Sequence, residues 1–138
     1  MLVLTRAAYD AVLDHAQVDV PREACGVLVG REQDGERHVE EVRRVPNVSE
    51  TPRVAYELDP EATLAAFDDA EAAGRDVLGF YHSHPSGPVR MSARDREQAS
   101  WPGRVYVLVS LAARPPVLDA WTWTGEAFER EAVTVRGT

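Results

Sequence analysis

The sequence predicts an α+β fold, a mixed β-sheet sandwich with a helix on each face. Three observations carry this. Strand-like runs outnumber helical ones, and the two kinds mix without a strict βαβ alternation. The chain has 138 residues, a length that suits one domain, here 1–138, with one core. Hydrophobic residues at 44% and charged residues at 28% are ordinary for a globular protein.

Each element has its own signal. Thr5 can cap a helix whose apolar positions include Ala8, Tyr9, Val12, Leu13 and Ala16, and Pro21 ends it. "ACGVLVG" (24–30) is a short apolar run ending in Gly and reads as a buried strand. "REQDGE" is a hairpin turn, followed by a loosely alternating strand over 37–47. "RVAYELD" (53–59) reads as a third strand. Asp59 and Pro60 start a helix as N-cap and first-turn proline, and it stops at Gly74. "DVLGFYHSH" (76–84) is a strand and "SARDREQAS" (92–100) a short helix. Strands over 104–111, 116–124 and 127–135 complete the series, the last two joined by Gly125-Glu126.

Composition excludes several classes. The formal net charge is −8, so general electrostatic attraction to nucleic acid or an anionic membrane is not expected. All basic residues are Arg. A GC-rich genome and a salt-adapted host both remain open as reasons. Without Lys the chain cannot itself be a lysine acceptor. The single Cys25 forms no internal disulfide and implies no oxidising compartment. The N-terminal stretch carries Arg6, Asp10 and Asp14 and does not read as a signal peptide. No apolar run approaches the ~20 residues of a membrane span. A cytoplasmic location is expected.

The chemistry lies in "HSHPSGPVRMSARD" (82–95). His82 and His84 close a candidate strand, where side chains at i and i+2 share a face. Both imidazoles can reach one ion. A loop with Pro85, Gly87 and Pro88 can fold back to bring Asp95 near. Two His and one carboxylate suit Zn²⁺ and leave the fourth tetrahedral position open, as in catalytic sites. Ser92-x-x-Asp95 also reads as a capping box with no metal involved. The two readings are compatible, because a capped helix start is a rigid place for a ligand.

A second stretch, "PREACGVLVG" (21–30), places Glu23 upstream. The order Glu23, His82-x-His84, seven residues, Ser92, two residues, Asp95 resembles the JAMM (MPN+, Mov34) zinc metallopeptidases. Pro-x-Glu-x-Cys-Gly resembles their short stand-alone prokaryotic type. The resemblance implies a mixed sheet or partly open barrel between helices, with a cytidine-deaminase-like core. It implies that His82, His84 and Asp95 are the zinc ligands. Glu23 would be the general base and Ser92 the hydrogen-bond donor to the oxyanion. The implied substrate is a ubiquitin-like or sulfur-carrier protein cut after its C-terminal Gly-Gly, with either a lysine or a free amino acid leaving. An extended tail could pair with a sheet edge, for which "TPRVAYEL" (51–58) is the candidate. Oligomeric state is open, a homodimer included.

Departures and alternatives bound this reading. Many relatives place Pro before the Ser, where this chain has Met91. The "HSHPSG" loop also resembles RadC proteins, but their extra N-terminal helical region is missing here. A non-catalytic scaffold on the same fold is the alternative from another class, yet inactive relatives typically lack ligands that are all present here. A zinc deaminase would need Pro-Cys-x-x-Cys. Cys25 reads as a small core residue. His15 and His38 read as ordinary surface or edge residues. Trp121 and Trp123 read as cross-strand packing, and Trp101 as packing under the metal-site helix. Asp68, Asp69 and Glu71 read as a solvated helix face.

Overall fold

In the computed structural model, which describes residues 1–137, the order is β1 (Leu2–Thr5), α1 (Arg6–Val18), β2 (Cys25–Gln33), β3 (Glu36–Val45), α2 (Pro60–Ala72), β4 (Asp76–His84), α3 (Ala93–Gln98), β5 (Val105–Ser110), β6 (Val117–Trp123), β7 (Phe128–Glu131) and β8 (Val133–Arg136). The helix starts follow the capping residues. Thr5 Oγ1 accepts the Ala8 amide at 3.0 Å, and Asp59 accepts that of Ala62 at 2.9 Å with Pro60 at the first turn. The β2–β3 hairpin turns on Asp34 and Gly35, with φ of 54° and 77°. Those angles belong to the two-residue turn that Asp-Gly favours.

The strands form one mixed sheet in the order β7-β6-β5-β4-β2-β3-β1-β8. β7 and β8 sit at opposite ends of that order, yet only Ala132 separates them. Two residue steps span at most about 7 Å, so the sheet curls until its edges nearly meet. The result is an almost closed barrel, as the α+β, partly open barrel expectation required. The Leu2 amide donates to Ala132 O at 2.8 Å, which extends the β1–β8 ladder up to the seam.

Two apolar layers flank the sheet. One packs α1 (Ala8, Val12, Ala16) on Leu2, Leu4, Leu28, Tyr81 and Val107. The other packs α2 (Ala66, Ala70) on Val27, Phe80, Tyr106, Leu108 and Trp123. Alternation along β4 sends Tyr81 to the α1 side and Phe80 to the α2 side. His82, two residues beyond Phe80, faces the α2 side.

Four expectations need correcting. Residues 53–59 are not a strand: the Val54 and Ala55 amides both donate to Thr51 O, making a turn. Only an isolated bridge, Asn47 to Leu58, follows. The edge proposed over 51–58 is therefore a turn plus a short extended segment. The single strand expected over 127–135 is two strands, β7 and β8, on opposite sides of the seam. β1 was not foreseen, because three apolar residues before a cap give too short a pattern. His15 is not a surface residue. It is 4% exposed, and its Nδ1 lies 2.7 Å from the Tyr81 hydroxyl. Among the described residues no helix is long and apolar enough to cross a membrane.

Candidate metal centre and active site

The site forms where the N-terminal end of β2 meets the C-terminal end of β4. The antiparallel register sets Cys25 opposite His82 and Gly26 opposite Tyr81. Continuing it by two residues brings Glu23 level with His84, and the Ser83 amide donates to Ala24 O at 3.0 Å. Gly26 permits this closeness, since a Cβ there would lie 2.3 Å from Tyr81 Cε1. The loop after β4 then folds back. His84 Nδ1 lies 2.8 Å from Pro88 O, and Ser110 Oγ donates to Gly87 O at 2.6 Å.

α3 delivers the carboxylate. Ser92 Oγ accepts the Asp95 amide at 3.1 Å, and Asp95 Oδ2 accepts the Ser92 amide at 2.8 Å. The capping box and a place beside both imidazoles therefore coexist at Asp95. Asp95 is shared by both imidazoles: its Oδ1 lies 3.2 Å from His82 Nε2 and its Oδ2 3.1 Å from His84 Nε2. Glu23, His82, His84 and Asp95 are all buried, and one candidate ligand atom from each lies within 4.8 Å of the others. The structure thus brings together four of the five residues singled out. The fifth, Ser92, sits beside them as the exposed N-cap. Met91, which occupies the position of the relatives' Pro, is buried in the α2-side layer.

The donor set fits a cation. Pro88 O can only accept, so His84 Nδ1 carries a proton, and Nε2 is left facing Asp95 Oδ2 at 3.1 Å. His82 Nε2 is near Asp95 Oδ1 but misaligned for a hydrogen bond, and among the described residues both it and Glu23 Oε1 are buried without a partner. Buried polar atoms left so are costly. A metal ion held between the two imidazoles and Asp95 would give His82 Nε2 a partner, with Glu23 beside it, and an imidazole–carboxylate set suits zinc.

Electrostatics separate the two carboxylates. Burial pushes the Glu23 carboxyl up to about 7, against the charge of His84 and with that of Asp95. Burial also raises Asp95, but the close His82 and His84 imidazoles outweigh it and hold Asp95 well below the usual carboxylate range. Burial lowers His82. Burial opposes the charge on His84 as well, yet its bonds to Asp95 and Pro88 leave it raised. One carboxylate poised near neutrality beside one that stays ionised is the pattern of a proton carrier next to a ligand.

Tyr56 walls the site. Its ring stacks on His82 at 4.2 Å and 19°. Beyond it runs an apolar groove of about 690 Å³ lined by Tyr56, Leu58, Leu64, Phe67 and Trp101. Trp101 stacks on Phe67 at 5.0 Å and lines this groove, where packing under α3 was expected. Sequence reasoning missed the groove, because Tyr56 looked like a strand residue and nothing links it to Phe67 along the chain.

Comparison with known proteins agrees with this geometry. The family of prokaryotic homologs of the JAB domain matches residues 5–124. The chain belongs to that family. This JAB-domain chain is 46% identical to the desampylase of Haloferax volcanii over 97% of its length and 96% of the relative's. It is 35% identical to the CysO-cysteine peptidase of Mycobacterium tuberculosis, over 80% of this chain and 73% of the relative. A probable TtuB-protein conjugate cleaving protease of Thermus thermophilus is 38% identical over 73% of this chain and 65% of the relative. The solution structure of a Desulfitobacterium hafniense protein superposes with a TM-score of 0.91 at 33% identity, covering 100% of this chain and 94% of that one. The stand-alone prokaryotic JAMM assignment made from the motifs is the family the comparisons return.

Proposed function

We propose that residues 1–138 act as one cytoplasmic catalytic domain, a zinc-dependent (iso)peptidase that cleaves after the C-terminal Gly-Gly of a ubiquitin-like or sulfur-carrier protein. The observation that carries this is the buried Glu23, His82, His84 and Asp95 cluster, in a family whose relatives are named for cleaving such conjugates. His82, His84 and Asp95 hold the metal. Bound zinc supplies Lewis acidity, which polarises a scissile carbonyl and makes water a nucleophile at neutral pH.

The remaining steps belong to the chain's own residues. Glu23 stays outside the ligand set, takes the proton from the attacking water, and gives it to the leaving amine. A carboxyl raised to about 7 can do both. Ser92 Oγ accepts the Asp95 amide, so its own hydrogen is free to donate to the oxyanion. Such a donor is worth about 3 kcal/mol in comparable sites. The groove lined by Tyr56 and Trp101 takes the extended tail before the scissile bond, with Gly-Gly on the Tyr56 side nearest His82.

A ubiquitin-like carrier bearing a short extension after Gly-Gly, incubated with zinc-loaded protein and followed by mass spectrometry, tests the reading. Cleavage after Gly-Gly that chelation and Glu23→Ala both abolish is expected. Cleavage that survives both would refute the mechanism. Zinc bound through His82, His84 and Asp95 without any cleavage would refute the substrate.

A further inference from the structure

We propose that Asn47 is a positioning residue for the reaction, clipping the backbone of the base Glu23 to the segment that holds Tyr56 against His82. The inference rests on the reading of Glu23 as the base. Asn47 is half-buried just after β3, and its side-chain amide makes four hydrogen bonds. Nδ2 donates to Glu23 O and to Ala55 O, each at 3.0 Å. Oδ1 accepts the amides of Ser49 and Glu57, each at 3.0 Å. Two carbonyls on one side and two N–H groups on the other fix which way the amide points.

The partners matter more than their number. Glu23 lies before the first paired residue of β2, so the sheet ladder does not hold it. Its N–H donates to Pro52 O at 2.7 Å, and its C=O accepts from Asn47. Both restraints come from the stretch 47–57, which among the described residues has no helix and no named strand. That stretch is in turn organised by Asn47, through Ser49, Ala55 and Glu57. Ala55 and Glu57 flank Tyr56, whose ring covers His82. One side chain therefore sets the base and the wall together. Among the described residues it makes no hydrogen bond to His82, His84, Asp95 or α3.

Two variants separate this role from plain structural support. Asn47→Asp is isosteric and keeps the acceptor for Ser49 and Glu57, but it loses the donors to Glu23 and Ala55. Asn47→Ala loses all four bonds. Zinc-loaded protein with the Gly-Gly carrier should show kcat lowered ~100-fold in both variants, as expected for a catalytic group misplaced by about an ångström. KM should change by less than about threefold, and zinc content per chain should stay that of the parent. A kcat within about threefold of the parent, or a fall matched by lost zinc, would overturn the proposal.

Hydrogen exchange gives a second readout that needs no turnover. Amides over 22–25 and 49–57 should exchange roughly tenfold faster or more in Asn47→Ala, with 76–84 and 93–98 unchanged. Acceleration in only one of the two segments, or in neither, would overturn the clip. If the parent cleaves no carrier at all, the proposed function fails while the exchange result still decides whether Asn47 joins the two segments.

Discussion

Gly79→Ala should damage both stability and the metal centre. Gly79 pairs with Val105 in the parallel β4–β5 ladder, and a Cβ at this position would lie 1.9 Å from Val105 O. That falls about 1.4 Å short of the ~3.3 Å closest ordinary C···O separation. The obstacle is backbone, so no side chain can rotate away. Opening the ladder by that distance breaks roughly two backbone hydrogen bonds, about 1 kcal/mol each, on top of about 1–3 kcal/mol for overpacking. A loss of about 3–5 kcal/mol lowers Tm by roughly 10–15 °C in a chain this size. His82 and His84 pair with Leu108 and Ser110 in the same ladder, so the shift also moves them relative to Asp95, and zinc affinity should fall. Gly35→Ala is the control. Its φ is +77° but nothing among the described residues lies within 4 Å, so only about 1 kcal/mol of backbone strain is expected. Thermal unfolding by circular dichroism and zinc content by mass spectrometry measure both. If Gly79→Ala destabilises no more than Gly35→Ala, the close approach of β4 and β5 is not what holds this end of the site.

Other outcomes follow from named contacts. Tyr56→Ala should cost about 3 kcal/mol in chemical denaturation and lower activity, whereas Tyr56→Phe, which keeps the stack on His82, should stay within about 0.5 kcal/mol. For chelated protein, Glu23 gives a pH signature. Its folded pKa is raised from 4.5 to about 7, so its contribution is full below the unfolded value and is lost as pH rises through about 7. Glu23→Gln should therefore flatten the stability decline between pH 4.5 and 7, and an unchanged slope in unfolding experiments would count against the burial argument. Asp95 works in the opposite sense: its folded pKa is depressed, so its contribution exists at neutral pH and drains away under acid. Tyr81→Phe strips the partner from buried His15 Nδ1. It should lower stability by about 1–2 kcal/mol with kcat and KM unchanged, since that pair lies on the α1 side.

The site was more visible along the chain than the fold around it. His82, His84, Ser92 and Asp95 sit within fourteen residues, and local rules cover that range: strand alternation puts both imidazoles on one face, and a capping box fixes Asp95 to its helix start. The caps at Thr5 and Asp59 and the Asp-Gly hairpin were visible for the same reason. Glu23 was identifiable only through family resemblance, because nothing local distinguishes it from an ordinary loop carboxylate. The strand expected over 53–59 failed because alternating Val54, Tyr56 and Leu58 imitates a strand face while Pro52 and the bonds to Thr51 O impose a turn. His15 was misplaced because its partner, Tyr81, is 66 residues away.

By itself, then, the sequence determined the residue types gathered at the candidate site, their short-range spacing, the helix caps and the family. The spacing and the caps depend on residues within about one turn or one strand of each other, where backbone geometry leaves few choices. Tertiary structure alone decided the rest. The β2–β4 register carries Glu23 across the chain to His84. The curl of the sheet splits 127–135 onto two edges. The packing of α2 against Tyr106 and Trp101 opens the groove, and Asn47 ties two distant segments together. Those outcomes depend on which strands find each other, and that choice is set by the burial of the whole chain.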